Sequence, residues 1–163
     1  MSKTCCFISF SGEQPFSYRE RERLEFTLNG ILFYLTFAKD VGTFLFPYSG
    51  EMPAIANRVA NRIAAQGAAV RNVLALPKGK ARYLPFSFYV DKSFDGQEDI
   101  APESASLPLY YREMIDRADY CVFYFDKDCV AKDEKDLFIY AKNSRKNALN
   151  LFPSEDILFN AMD

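Results

Sequence analysis

The chain alternates short, wholly apolar runs with longer stretches of helical periodicity. Lys3 to Ser9 (KTCCFIS) reads as a first strand, followed by a polar turn over Ser11-Gly12-Glu13-Gln14-Pro15. Ser17 with Glu20 three positions on forms an S-x-x-E capping box, which opens a helix to Ala38. Leu24, Leu28, Ile31, Leu32 and Leu35 form one apolar stripe on that helix, while Phe26, Gly30, Phe33 and Phe37 form a second on roughly the opposite side. Thr43–Phe46 is a second strand. A second helix starts at Met52-Pro53, with proline suited to a first turn, and stops at Gly67. Val70–Leu76 is a third strand. Lys78 to Ile100 is the least regular stretch, with a short helix expected over Tyr83–Tyr89 and an extended piece over Phe94–Ile100. Pro108 opens a helix leading into Tyr120–Phe125, an apolar run of the kind covered on both faces in a parallel sheet. A charged loop, Asp126 to Asp136, precedes a helix through Leu137, Tyr140, Ala141 and Ser144. Asn147–Phe152 then alternates as a half-exposed edge strand, and the tail Pro153–Asp163 is expected to present Ile157, Leu158 and Phe159 from a short helix.

This succession predicts an α/β fold: a doubly wound, mostly parallel, Rossmann-like sheet of five strands in order 3-2-1-4-5, with helices on both faces. Residues 1–152 would form one domain, with 153–163 a tail packed on it. Strands one and four would lie side by side. Open α/β sheets bind ligands just beyond the carboxyl ends of such a pair.

Composition narrows the chemistry. There are no histidines, which removes the commonest general base and zinc ligand and any Ser-His or Cys-His pair. The four cysteines, Cys5, Cys6, Cys121 and Cys129, lack metal-site spacing, so no metal and no cofactor is expected. A net charge of −2 gives no electrostatic footprint for nucleic acid or an anionic membrane. The uncharged part of the first helix, from Phe26 to Ala38, is shorter than the roughly 20 residues a bilayer requires. No signal peptide is visible, and free thiols in a reducing cytoplasm are expected.

With these elements placed, the sequence resembles YpsA-like members of the SLOG superfamily, relatives of the DprA and LOG Rossmannoid domains. The resemblance spans residues 3 to 152. Thr4-Cys5-Cys6-Phe7-Ile8 stands at that family's T-C-C-F-[TI] strand, and Leu74-Ala75-Leu76-Pro77 at its A-L-P strand end. Met114-Ile115-Asp116-Arg117-Ala118-Asp119 matches M-[VI]-D-x-[SA]-D, while Tyr140-Ala141-Lys142 and Asn150-Leu151 match the closing Y-A-K…N-L. The ligand loops depart from the pattern. Phe10-Ser11-Gly12-Glu13 replaces G-H-R, Phe46-Pro47-Tyr48-Ser49-Gly50-Glu51-Met52-Pro53 replaces S-G-G-A-x-G-x-D with Pro47, Tyr48 and Glu51 adding bulk and negative charge, and Asp126 to Lys132 contains no glycine. Glycines in such loops bring backbone N–H groups against phosphates. The resemblance therefore implies a nucleotide-binding Rossmannoid with a degenerate phosphate cradle.

Ser11, Gly12, Glu13, Ser49, Gly50, Glu51, Arg112 and Asp126 are the candidate ligand-binding residues for a nucleotide-like small molecule. Each has an ordinary alternative: the Ser-Gly pairs as capped turns, and Arg112 as an i,i+4 partner of Asp116. No catalytic residue is assigned. Glu13, Glu51 and Asp126 would supply an acid and base for glycosyl cleavage only if they converge, and LOG's P-G-G-x-G-T-x-x-E is absent. Lys78-Gly79-Lys80-Ala81-Arg82 is a basic loop, and Cys5, Cys6 and Cys121 read as buried thiols. The competing expectation is an interaction scaffold that has lost its ligand. Phe26, Gly30, Phe33 and Phe37 would then be a homodimer face.

Overall fold

The computed structural model describes residues 2–9, 16–79, 94–126 and 132–153. Its elements run β1 (Lys3–Ile8), α1 (Tyr18–Ala38), β2 (Val41–Phe46), α2 (Glu51–Ala65), β3 (Arg71–Pro77), β4 (Gly96–Ala101), α3 (Leu107–Arg117), β5 (Tyr120–Phe123), α4 (Lys132–Asn143) and β6 (Asn147–Asn150). The six strands form one sheet in the order β4-β3-β2-β1-β5-β6, and every pairing is parallel. This is a Rossmann-like α/β architecture.

The period of two along each strand sorts side chains between the two faces. Cys5 and Phe7 of β1 turn toward α1 and α2, joining Leu24, Leu28, Leu32, Leu35, Ile55, Val59 and Ile63. Cys6 and Ile8 turn to the other side and pack under α3 and α4, against Tyr110, Tyr111, Met114, Ile115, Leu137 and Ala141. Residues 5 to 8 of β1 are fully buried, as a central strand covered on both faces must be. Each buried leucine of α1 contributes about 1.5–3 kcal/mol of apolar transfer. Phe7 stacks on Phe46 of the neighbouring β2, with centroids 4.9 Å apart and planes within 8°.

Helix boundaries follow local chemistry. Ser17 caps α1, its Oγ accepting from the Glu20 backbone N–H at 3.1 Å. The return half of the box is replaced, because the Glu20 carboxylate turns to Arg23 and Tyr124. Gly67, just past the C-cap of α2, has φ = 95°, the left-handed conformation a helix stop uses.

The sheet departs from the expected five strands by one. Gly96–Ala101 pairs with β3 at the edge, in the stretch read from sequence only as extended. It carries no apolar alternation because Gln97, Glu98 and Asp99 face solvent and only Ile100 and Ala101 are buried. The strand is held at its start by Asp95 and Asn72: the Asn72 N–H donates to the Asp95 carboxylate and the Asp95 N–H to the Asn72 carbonyl, each at 2.7 Å. β5 ends at Phe123, two residues short of the apolar run, and β6 at Asn150. α4 starts at Lys132, inside the stretch read as loop, because Asp133 and Glu134 suit the positive end of its macrodipole. The expected helices over Tyr83–Tyr89 and beyond Pro153 lie outside the described residues. Among the described residues, no helix is long and apolar enough to cross a membrane.

Candidate functional site

β1 lies between β2 and β5, and the chain reverses its direction of travel across the sheet there: α1 and α2 cover one face, α3 and α4 the other. The crevice beyond the carboxyl ends of β1 and β5 is the position where an open α/β sheet holds a ligand. Ser9 follows β1 and is buried, Tyr48-Ser49-Gly50 follows β2, and Tyr124-Phe125-Asp126 follows β5.

Two adjacent tyrosines in the first turns of α3 join these strand ends. Tyr110 donates its hydroxyl to the Ala75 carbonyl of β3 at 2.6 Å. Tyr111 donates to the Ser9 carbonyl at 3.1 Å. The Tyr48 and Tyr110 rings sit 5.2 Å apart, as do those of Tyr110 and Tyr111. Burial pushes both α3 phenols well above the ordinary tyrosine value, with the neighbouring tyrosines adding to it. They are therefore neutral hydrogen-bond donors at physiological pH and have no capacity to act as bases. Burial also raises the Tyr48 phenol, whose residue is half-buried at the rim.

Gly50 permits the close approach of the β2–α2 turn to β1. Its φ is 112°, and a Cβ there would lie 3.0 Å from the Pro53 Cδ and 3.2 Å from the Ser9 carbonyl oxygen. It caps α2 without any side-chain hydrogen bond. Glu51 then occupies the first position of α2, and its carboxylate is held at both oxygens: Oε1 accepts from Arg21 Nε at 2.8 Å and Oε2 from the Phe16 N–H at 2.8 Å. A carboxylate of the chain itself thus sits at the helix terminus that would otherwise face an anion.

The β5 side is closed by aromatic and amide contacts. The Tyr124 ring packs 4.9 Å from Phe16 and 5.4 Å from Phe152, and its hydroxyl donates to the Glu20 carboxylate at 2.8 Å. Arg23 reaches the Leu151 carbonyl at 2.8 Å, tying α1 to the end of β6. The Asn150 side chain clamps Phe125, accepting from its N–H at 3.1 Å and donating to its carbonyl at 2.9 Å. Burial, then Glu20, raises the Tyr124 phenol above its usual range.

The structure thus brings Ser49, Gly50 and Glu51 together at the end of β2, with Asp126 half-buried after β5. Ser11, Gly12 and Glu13 lie outside the described residues, as do Lys80 to Arg82 of the basic loop. Arg112 is exposed on α3, where its guanidinium lies over the Tyr140 ring of α4, 4.6 Å from the centroid. The Tyr140 hydroxyl donates in turn to Asp116, so an aromatic ring mediates between the two residues expected to pair directly. Glu51 faces Arg21, so its geometry is that of a latch between α1 and α2. Cys5, Cys6 and Cys121 are free and buried, with Cys6 beside Cys121 in register, and burial raises the Cys5 and Cys6 thiols. Among the described residues, no group of three or more His, Cys, Asp or Glu is placed to hold a metal ion.

Tyr110, Tyr111 and Tyr124 were not read from sequence as site residues, and Tyr48 entered only as added bulk in the loop after β2. Their one signal was the adjacent pair Tyr110-Tyr111 next to the apolar stripe of α3, where each is buried and each hydroxyl needs a partner. The fold is that of a Rossmann-like α/β domain whose strand ends are tied together by buried tyrosines, with Glu51 latched to Arg21 at the start of α2. No family model matches the chain, and no curated protein matches it.

Proposed function

We propose that the chain is a non-catalytic binding domain of the YpsA-like SLOG type that takes a nucleoside-like small molecule at the β1/β5 crevice. The supporting observation is Glu51, fixed by Arg21 and the Phe16 N–H at the start of α2, beside the half-exposed Tyr48 ring. A carboxylate there accepts hydrogen bonds from sugar hydroxyls or ring N–H groups, and a rim tyrosine offers a stacking face. Held by Arg21 and the Phe16 N–H, the same carboxylate fills the start of α2, the place where a phosphate would otherwise meet the helix N–H groups. Base and sugar are favoured over phosphate. This accords with the loss of glycines from the turns that grip phosphate in the resembled family.

Isothermal titration with adenosine, AMP and ADP-ribose tests the reading. Adenosine is expected to bind at least about fivefold more tightly than AMP, the factor equivalent to 1 kcal/mol, and Glu51→Gln to narrow that gap. No heat and no thermal shift with any of the three, or with guanosine and uridine counterparts, would remove the proposal.

A second reading, a scaffold for protein interaction that no longer binds a ligand, is favoured by one specific feature. Phe26, Phe33 and Phe37 stand exposed on α1, away from the crevice.

A further inference from the structure

From Phe26 to Ala38, α1 carries no charged residue over 13 positions, yet one side of this stretch faces solvent. Phe26 is 85% exposed, Phe33 53% and Phe37 58%, and the Phe33 and Phe37 rings pack against each other at 4.6 Å. The spacing 26, 30, 33, 37 alternates steps of four and three, the seam of a helix that packs along another helix. Gly30 interrupts that seam. A Cβ on Gly30 would meet nothing within 4 Å, so nothing in the isolated chain requires its absence. A glycine inside a helix nevertheless destabilises it relative to alanine. The notch therefore has a use only when something lies against it.

We propose that the occupant is α1 of a second copy, packed antiparallel about a twofold axis between positions 31 and 32. A self-complementary patch is what a twofold interface requires. In this register, the residue at position i faces position 63 − i of the partner: Phe33 seats over the partner's Gly30, and Phe26 meets the partner's Phe37. The ends also match. Beside Phe26 lies a hollow of about 630 Å³ lined by Arg19, Glu22, Arg23, Glu25 and Arg62. In this register the partner's Lys39-Asp40 turn comes level with it, where Glu22 and Arg19 lie outside the Arg23–Glu20 and Arg62–Glu25 pairs and take the ammonium and the carboxylate respectively. Antiparallel pairing further sets each helix's positive terminus beside the other's negative one. An anionic membrane is disfavoured as occupant by the lack of any basic residue along the seam and by the net charge of −2. The inference is independent of the crevice and of any ligand there.

Sedimentation equilibrium on the full chain, followed by cross-linking, tests it. Wild type is expected to move from 18.7 kDa toward twice that mass as concentration rises into the tens of micromolar. Phe33→Glu, at an exposed position, is expected to remain monomeric with an unchanged circular dichroism spectrum. Gly30→Leu fills the notch and is expected to weaken dimerisation at least tenfold while raising the melting temperature of the monomer. For the register, a Phe26→Cys chain mixed with a Phe37→Cys chain is expected to form a disulfide-linked heterodimer. Phe26→Cys alone is expected to form none, because the two copies of position 26 stand 11 residues apart, about 16 Å along the helix. A strict monomer at 200 μM overturns the proposal, and so does a dimer that survives both Phe33→Glu and Gly30→Leu. Efficient Phe26→Cys self-linkage overturns the antiparallel register.

Discussion

Replacing Tyr111 with phenylalanine removes one oxygen and leaves the ring in place. In the native chain, that oxygen donates to the buried Ser9 carbonyl at 3.1 Å. The ring keeps its packing against Tyr110, so no cavity opens and the whole effect is polar. The Ser9 carbonyl sits in a residue 3% exposed, where losing a donor costs about 1–3 kcal/mol. Tyr111→Phe is therefore expected to lower stability by about 1–2 kcal/mol. For a chain of this size that is a fall of about 2–8 °C in melting temperature. Urea unfolding followed by circular dichroism measures it, with an unchanged m value expected. Tyr18→Phe supplies the control: Tyr18 is 75% exposed, and its loss should stay within about 0.5 kcal/mol. If Tyr111→Phe matches Tyr18→Phe, the hydroxyl is not a staple between strand ends, and the account of the crevice floor is wrong.

Two further outcomes follow from the same structure. Burial raises the Tyr110, Tyr111 and Tyr124 phenols above the unfolded tyrosine value of about 10, so their contribution is fully present below that pH and is lost as pH rises through their folded values. With no tryptophan in the chain, phenolate absorbance should show Tyr110, Tyr111 and Tyr124 ionising only as the dichroism collapses; free titration of all ten tyrosines with the fold intact would refute it. Ser17→Ala should lower stability by about 1 kcal/mol through loss of the cap on the Glu20 N–H, and Ser17→Asp should restore most of it; equal stability of all three proteins in urea would show that the cap is idle.

Much of the framework was legible because it rests on local pattern. The run Tyr120–Phe125 is apolar without interruption because its strand is buried on both faces, and Cys5 to Ile8 is buried for the same reason. Ser17 and Gly67 mark helix ends because a hydroxyl cap and a positive φ are requirements of the residues themselves. The two stripes of α1 separated cleanly, Leu24, Leu28, Leu32 and Leu35 inward and Phe26, Phe33 and Phe37 outward. β4 was legible only as an extended piece and not as a sixth strand of the sheet, because an edge strand with polar residues at Gln97, Glu98 and Asp99 needs only a neighbouring backbone, which leaves no mark in composition.

The candidate site divides along the same line. Composition alone settled that no histidine takes part, and the positions of Ser49, Gly50 and Glu51 at a strand end followed from the order of elements. Which way Glu51 points depended on Arg21, 30 positions earlier, and the anchoring of Ser9 depended on Tyr111, 102 positions later. Such pairings are decided by where the sheet sets its strand ends, because a carboxylate or a phenol takes whichever partner the packed core delivers to it.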